Sequence, residues 1–198
     1  TSKPQVMRAA VAAGANFIND VSALRNDGAL HAVAELGVPV CLMHMLGSPQ
    51  TMQQDAHYDD VLVQVRQFLT ERIFACEMSG IPKKNIVIDP GFGFGKQLEH
   101  NLALLANLEY FKQLGVPVLA GVSRKSMIGQ ITGRALEQRV VGSAAAAMLA
   151  AQNGARIIRV HDVAETKDAL AMLAAVNGAK RNMTSAPAKP SIQWPDED

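Results

Sequence analysis

The sequence predicts an α/β fold built on parallel strands, of the kind found in a (β/α)8 barrel. Two observations point there. Short β-branched runs alternate with amphipathic segments along the chain, which requires parallel strands joined by helical crossovers. The five predicted strands also begin plainly, at Ala15-Asn16, Gly37-Val38-Pro39, Lys84-Asn85, Gly115-Val116-Pro117 and Gly154-Ala155, whereas all five end in polar or charged side chains. A parallel barrel brings every strand end to one mouth, where such folds place their chemistry. A doubly wound sheet, the other architecture that fits the alternation, would gather only the ends beside its switch point.

The elements follow in order. Ser2 to Ala13 reads as a helix, with Ser2 and Gln5 spaced for a capping box and Gly14 as its stop. Phe17 to Val21 is the first strand. A helix from Ala29 to Leu36 ends at Gly37, and Val38 to His44 is the second strand. Tyr58 to Ser79 is helical, with apolar residues at Val61, Val65, Phe68, Leu69, Ile73 and Met78. The third strand, Asn85 to Asp89, closes on a carboxylate. A helix over about 100–114, a strand from Val116 to Val122, a helix over about 137–152 and a strand from Arg156 to Val160 complete the alternation. Asp162 then caps a last helix through Val176, with Glu165 in the capping-box place. From Ala179 to Asp198 the chain is polar and proline-bearing and reads as a loose tail in which Trp194 makes a local contact. Residues 1–178 are expected to form one domain.

Composition excludes several functions. The 198 residues are 48% hydrophobic and 19% charged with a formal net charge of +1, which suits one sizeable globular core. That near-neutral balance, without a basic face interleaved with aromatics, gives no footprint for nucleic acid. The longest apolar run, Ala144 to Ala151, is far short of a membrane span. Cys41 and Cys76 lack metal-ligand spacing and read as packed thiols of a reducing, cytoplasmic setting.

Residues 89–96, DPGFGFGK, resemble a phosphate loop in composition but not in spacing. Gly91 and Gly95 are too close for a Walker loop, Gln97 replaces its hydroxyl, and Lys96 stands where a dinucleotide fingerprint needs its third glycine. As an acid at a barrel mouth, Asp89 can instead accept paired hydrogen bonds from an N-C-N edge such as that of a pterin or guanidine. Asn19 offers a donor and an acceptor beside it. Side chains two apart on a strand share a face, so Arg159 and His161 are expected to point together, as are Ser123 and Lys125 if their strand runs that far. An arginine and a histidine at one mouth suit a phosphate, although Arg159 could simply pair with Asp162. The stretch from Val122 to Gly129 reads as a strand end turning into a helix start, whose free N–H groups can hold an anion. His44 reads as a satisfied structural histidine. His31, His57 and His100 carry no readable role, and no His, Asp and Glu set has metal-site spacing.

Five segments, FINDVS, CLMHM, IDPGFGFGK, GVSRKSMIG and IIRVHD, each at a strand end, together resemble the motifs of the dihydropteroate synthase family over Thr1 to Val176. That resemblance implies a (β/α)8 barrel of which this chain carries the last five units. It implies pterin contacts from Asn19, Val21, Met43, Asp89, Gly121, Lys125 and Arg159, and p-aminobenzoate contacts from Phe94, Ser123 and Lys125. It implies diphosphate contacts from Arg159 and His161, with Lys125, Arg159 and His161 as the catalytic set. The reaction implied is condensation of (7,8-dihydropterin-6-yl)methyl diphosphate with p-aminobenzoate, in a cytoplasmic homodimer that uses magnesium and is open to sulfonamides. The magnesium-linked asparagine, two mobile loops and an aspartate that precedes the counterpart of Thr1 belong to family strands not found in this sequence. The five-strand chain by itself is therefore expected to fold poorly and to be inactive. A methyltetrahydrofolate-type pterin-binding methyltransferase would share the Asn and Asp ligands without needing SRKS or RVHD. A pterin-binding remnant without catalysis is the other alternative.

Overall fold

A computed structural model of the chain describes residues 1–47 and 56–184. The chain alternates as expected. In order its elements are α1 (Pro4–Ala12), β1 (Ile18–Asp20), α2 (Ala29–Leu36), β2 (Val40–Met43), α3 (Val61–Met78), β3 (Ile86–Asp89), α4 (Leu98–Ala106), β4 (Leu119–Ala120), α5 (Ser126–Thr132), α6 (Val140–Gln152), β5 (Ile157–Ile158) and α7 (Val163–Thr184). Short 3-10 turns stand at Lys83–Asn85, Leu108–Leu114 and Leu136–Gln138.

Every strand pairing is parallel. β1 pairs β2 with Asn19 opposite Cys41, β2 pairs β3 with Met43 opposite Asp89, and β4 pairs β5 with Leu119 opposite Ile157. A single bridge between Ile88 and Val118 links the two groups. Spatial order therefore follows chain order, without the reversal that defines a doubly wound sheet.

The sheet is also curved. Strands about 4.8 Å apart would put β1 and β5 of a flat sheet about 19 Å apart. Yet Arg159, just past β5, reaches Asn19 in β1 with a single side chain.

Alternation along the strands divides the packing. Val40, Leu42, Ile86, Ile88, Val118 and Ala120 face the helices and join the main core with Phe92, Leu104, Leu108 and Phe111. Cys41, Val87 and Leu119 point to the other face with Phe17. From α3, Val61, Val65, Leu69, Ile73 and Cys76 supply one buried stripe at helical spacing. Each such aliphatic side chain removed from water stabilises by about 1.5–3 kcal/mol. Asp60 starts this helix by accepting from the N–H groups of Leu62 and Val63 at 2.9 and 3.1 Å. Both cysteines are buried free thiols, as the sequence suggested. No helix among the described residues is long and apolar enough to cross a membrane.

Several boundaries differ from expectation. No Ser2 capping box forms, because Pro4 occupies the first turn with Lys3 as the cap and a fixed φ begins the helix instead. The fourth and fifth strands keep only two ladder residues each, since the chain leaves the sheet early to shape its mouth. The helix expected over 100–114 is α4 followed by a 3-10 turn, and the one over 137–152 is likewise a 3-10 turn followed by α6. The last helix continues past Val176 to Thr184, through Gly178 and into the expected tail. A single helical glycine costs only about 1 kcal/mol, and alanines on either side, Ala174, Ala175 and Ala179, favour continuation. The rest of that tail, with Trp194, lies outside the described residues.

Candidate functional site

The site is built on the C-terminal ends of the strands, where the chain turns sharply. Asp89 is the last residue of β3 and is 1% exposed. Its Oδ1 accepts from the N–H of Gly91 at 2.8 Å, and its Oδ2 accepts from Nη2 of Arg159 at 3.1 Å. Burial pushes the Asp89 carboxyl up, opposed chiefly by the Arg159 charge and then by the Gly91 N–H, Lys125 and Lys96. A second Arg159 nitrogen, Nη1, lies 3.4 Å from Oδ1 of Asn19. One guanidinium thus spans the ends of β1 and β3. Arg159 does not pair with Asp162, which is engaged instead by Arg124 with an Nε–Oδ2 distance of 3.0 Å. The Asp162 carboxylate is thereby committed to an ion pair, and its carbonyl receives the N–H of Thr166.

Gly121 makes room for this arginine. A Cβ at that position would stand 2.4 Å from Nη2 of Arg159. Met43 sits opposite Asp89 in the ladder and is 1% exposed, and Val21 lies one residue beyond β1, half-buried.

The segment after β4 sends Ser123 and Lys125 to different partners. Ser123 Oγ lies 2.9 Å from Nδ1 of His161 and also accepts the N–H of His161 at 3.2 Å. Lys125 turns the other way, its Nζ 4.3 Å from the centre of the Phe94 ring. The strand does not run as far as Lys125, the condition on which Ser123 and Lys125 were expected to share a face: β4 ends at Ala120 and Arg124 adopts a left-handed φ of 56°. Ser143 Oγ accepts the Arg124 N–H at 2.9 Å and holds the turn. Burial lowers the Lys125 ammonium from its ordinary range, with Asp89 opposing the shift. Arg159 and His161 likewise take different partners.

The loop after β3 is fixed closely. A Cβ on Gly91 would lie 1.9 Å from the carbonyl oxygen of His44, and one on Gly95 would lie 2.5 Å from that of Leu46. Both glycines also have positive φ, 75° and 62°, so the approach and the backbone geometry each exclude a side chain. Tyr58 donates its hydroxyl to the Gly95 carbonyl at 2.8 Å. Asn101 accepts the Gly93 N–H at 2.8 Å.

Two residues without an assigned role emerge here. Lys96, weighed in the sequence only as a nucleotide-motif lysine, is 3% exposed, and its Nζ lies 2.9 Å from Nδ1 of His44. His44 is the satisfied buried histidine expected, edge-on to Phe68 at 4.9 Å. His100 closes a capping box at the start of α4, accepting the N–H of Gln97 at 3.2 Å. Lysine next to a glycine run gives no sequence signal for burial, so only the fold reveals it.

Chemically the mouth offers a buried carboxylate, a bridging guanidinium, an ammonium over an aromatic ring and a hydroxyl–imidazole pair. It can read an amidine edge and hold an anion nearby. No three His, Cys, Asp or Glu side chains come together as a metal site among the described residues.

Comparison with known proteins finds similar chains. Residues 1–161 match the model of a family described as pterin binding enzyme. The chain is 51% identical over 182 residues to dihydropteroate synthase of Escherichia coli (strain K12), covering 92% of this chain and 64% of that protein. It thus spans less than two thirds of the length of that relative. A solved dihydropteroate synthase from Stenotrophomonas maltophilia with active site-bound imidazole superposes with a TM-score of 0.87 at 56% identity, covering 94% of this chain and 68% of the other. The enzyme from Xanthomonas albilineans in complex with 7,8-dihydropteroate superposes with a TM-score of 0.84 at 61% identity, covering 89% of this chain and 65% of the other.

Proposed function

Because this chain belongs to the pterin binding enzyme family, we propose that it forms the substrate-binding part of a dihydropteroate synthase. Its reaction is condensation of (7,8-dihydropterin-6-yl)methyl diphosphate with p-aminobenzoate to 7,8-dihydropteroate and diphosphate, in folate biosynthesis. The observation that carries this reading is the Asn19–Arg159–Asp89 cluster, a buried acid with one oxygen turned to an arginine that a ligand can replace.

The pterin presents an N-C-N edge to Asp89, whose carboxylate accepts two parallel hydrogen bonds from it. Asn19 reads the neighbouring edge, and Val21, Met43 and Gly121 line the pocket. Arg159 gives up its bond to Asp89, stacks on the pterin and, with His161, meets the diphosphate. Phe94 forms the wall beside the aminobenzoate ring, with Ser123 nearby and Lys125 between the two substrates.

The aniline nitrogen forms the new bond to the methylene carbon. The carbon–oxygen bond breaks with its electron pair leaving on diphosphate, and one proton is lost. Positioning and electrostatic stabilisation of the departing anion are the main contributions of these residues. Magnesium is the cofactor proposed for this reaction, and among the described residues no three His, Cys, Asp or Glu side chains come together to hold it.

We propose further that the curved five-stranded arc is the last five units of a (β/α)8 barrel, and that the protein is a cytoplasmic homodimer sensitive to sulfonamides. The test is chromatographic detection of 7,8-dihydropteroate from the full-length protein and both substrates. Product formation supports the reading, and pterin binding with no product would leave only a binding module.

A further inference from the structure

Resting on the synthase reading, we propose that Lys96 is the positioning residue of the aminobenzoate wall: its amino group ties the Phe94 carbonyl to the His44 ring, and so fixes Phe94 and the Lys125 ammonium above it. A lysine is almost never fully buried without a counter-ion. Ordinarily its stem lies along the surface and its head stays in water. Lys96 is 3% exposed, and among the described residues its Nζ has no carboxylate within ion-pair distance. Its hydrogen-bond partners are Nδ1 of His44 at 2.9 Å and the carbonyl oxygen of Phe94 at 3.1 Å, and it lies 5.9 Å from the centre of the Tyr58 ring.

Those partners belong to the two segments that must stay in register. His44 follows β2 and donates its N–H to the Asp89 carbonyl at 2.9 Å, so it is tied to the acid that starts the loop. Phe94 carries the ring on which Lys125 rests. Tyr58 and Asn101 hold the loop at Gly95, Gly93 and the Lys96 carbonyl, while the bond to the Phe94 carbonyl comes from Lys96 itself. Burial and the Lys96 charge push His44 down to about 3, which leaves its ring neutral and able to accept from the amine.

The experiment replaces Lys96 with methionine in the full-length protein. Methionine keeps the apolar stem as far as Cε and removes only the buried amine that bonds His44 and Phe94. The expected result is a KM for p-aminobenzoate raised about tenfold or more, with kcat and the KM for the pterin diphosphate within about threefold. Deuterium uptake over residues 91–97 should rise at the same time. His44→Leu removes the other anchor and should give the same substrate-selective shift. An unchanged aminobenzoate KM in an active Lys96→Met protein overturns the proposal, as does a loss confined to kcat. If the wild-type protein shows no aminobenzoate-dependent diphosphate release, the synthase reading fails. The positioning claim is then decided by uptake over 91–97, and unchanged uptake rejects it.

Discussion

Arg159 reaches from the end of β5 to Asp89 at the end of β3, with Nη2 3.1 Å from Oδ2, and the carboxylate it meets is 1% exposed while the arginine side chain is 41% exposed. The buried partner is fixed and the exposed one can move. That asymmetry suits a site in which a pterin replaces the guanidinium on the acid and the freed guanidinium follows the ligand. Hydrogen bonds to charged groups contribute about 1.5–3 kcal/mol. Asp89→Ala should therefore lower kcat/KM by about 10- to 100-fold or more, and steady-state kinetics on the full-length protein reads this.

Gly121→Ala tests the place of the arginine without touching its chemistry. The φ of Gly121 is not positive, so alanine fits the backbone, yet its Cβ would meet Nη2 of Arg159 at 2.4 Å. We expect weaker pterin binding by calorimetry, with a thermal midpoint within a few degrees of wild type. Unchanged pterin affinity would show that Arg159 does not need this position.

Ser123→Ala removes the hydroxyl that contacts both Nδ1 and the N–H of His161. The imidazole then loses its anchor. The expected outcome is a lower kcat and weaker product inhibition by diphosphate, with the pterin affinity little changed.

The buried Lys96 makes stability depend on pH. Burial holds its ammonium down to about 7 from an ordinary 10.5, with Lys125 adding to the shift and Asp89 opposing it. Between those values the unfolded chain binds the proton and the folded chain does not, so this group makes stability rise as pH increases from about 7 to about 10.5. His44 acts in the same sense at lower pH, where stability falls as pH drops from about 6.5 towards 3. The difference between wild type and Lys96→Met in denaturant titrations should show the alkaline slope and that between wild type and His44→Leu the acid one, since the raised Asp89, Cys41 and Cys76 groups act in the opposite sense in every variant.

Much of this was legible in the sequence because it rests on periodicity. Parallel strands and the polar ends at Asn19, Asp89, Ser123 and Arg159 follow from alternation and strand-end chemistry. The early exit from β4 was not legible, since it depends on the left-handed turn at Arg124, whose N–H donates to Ser143 Oγ, and no local propensity signals that turn. Arg159 illustrates the limit. Its type and place suggested an anion ligand or a pair with Asp162, but its reach to Asp89 depends on the curvature that brings β5 round towards β1. The role of Lys96 depends on packing from Tyr58 and His44, which are distant in sequence.

The most direct test of the central claim is diphosphate release by the full-length protein supplied with (7,8-dihydropterin-6-yl)methyl diphosphate, measured with and without p-aminobenzoate. The account predicts release that depends on aminobenzoate and is lost in Lys125→Ala. Release indifferent to aminobenzoate, or a Lys125→Ala protein that turns over at the wild-type rate, would contradict it.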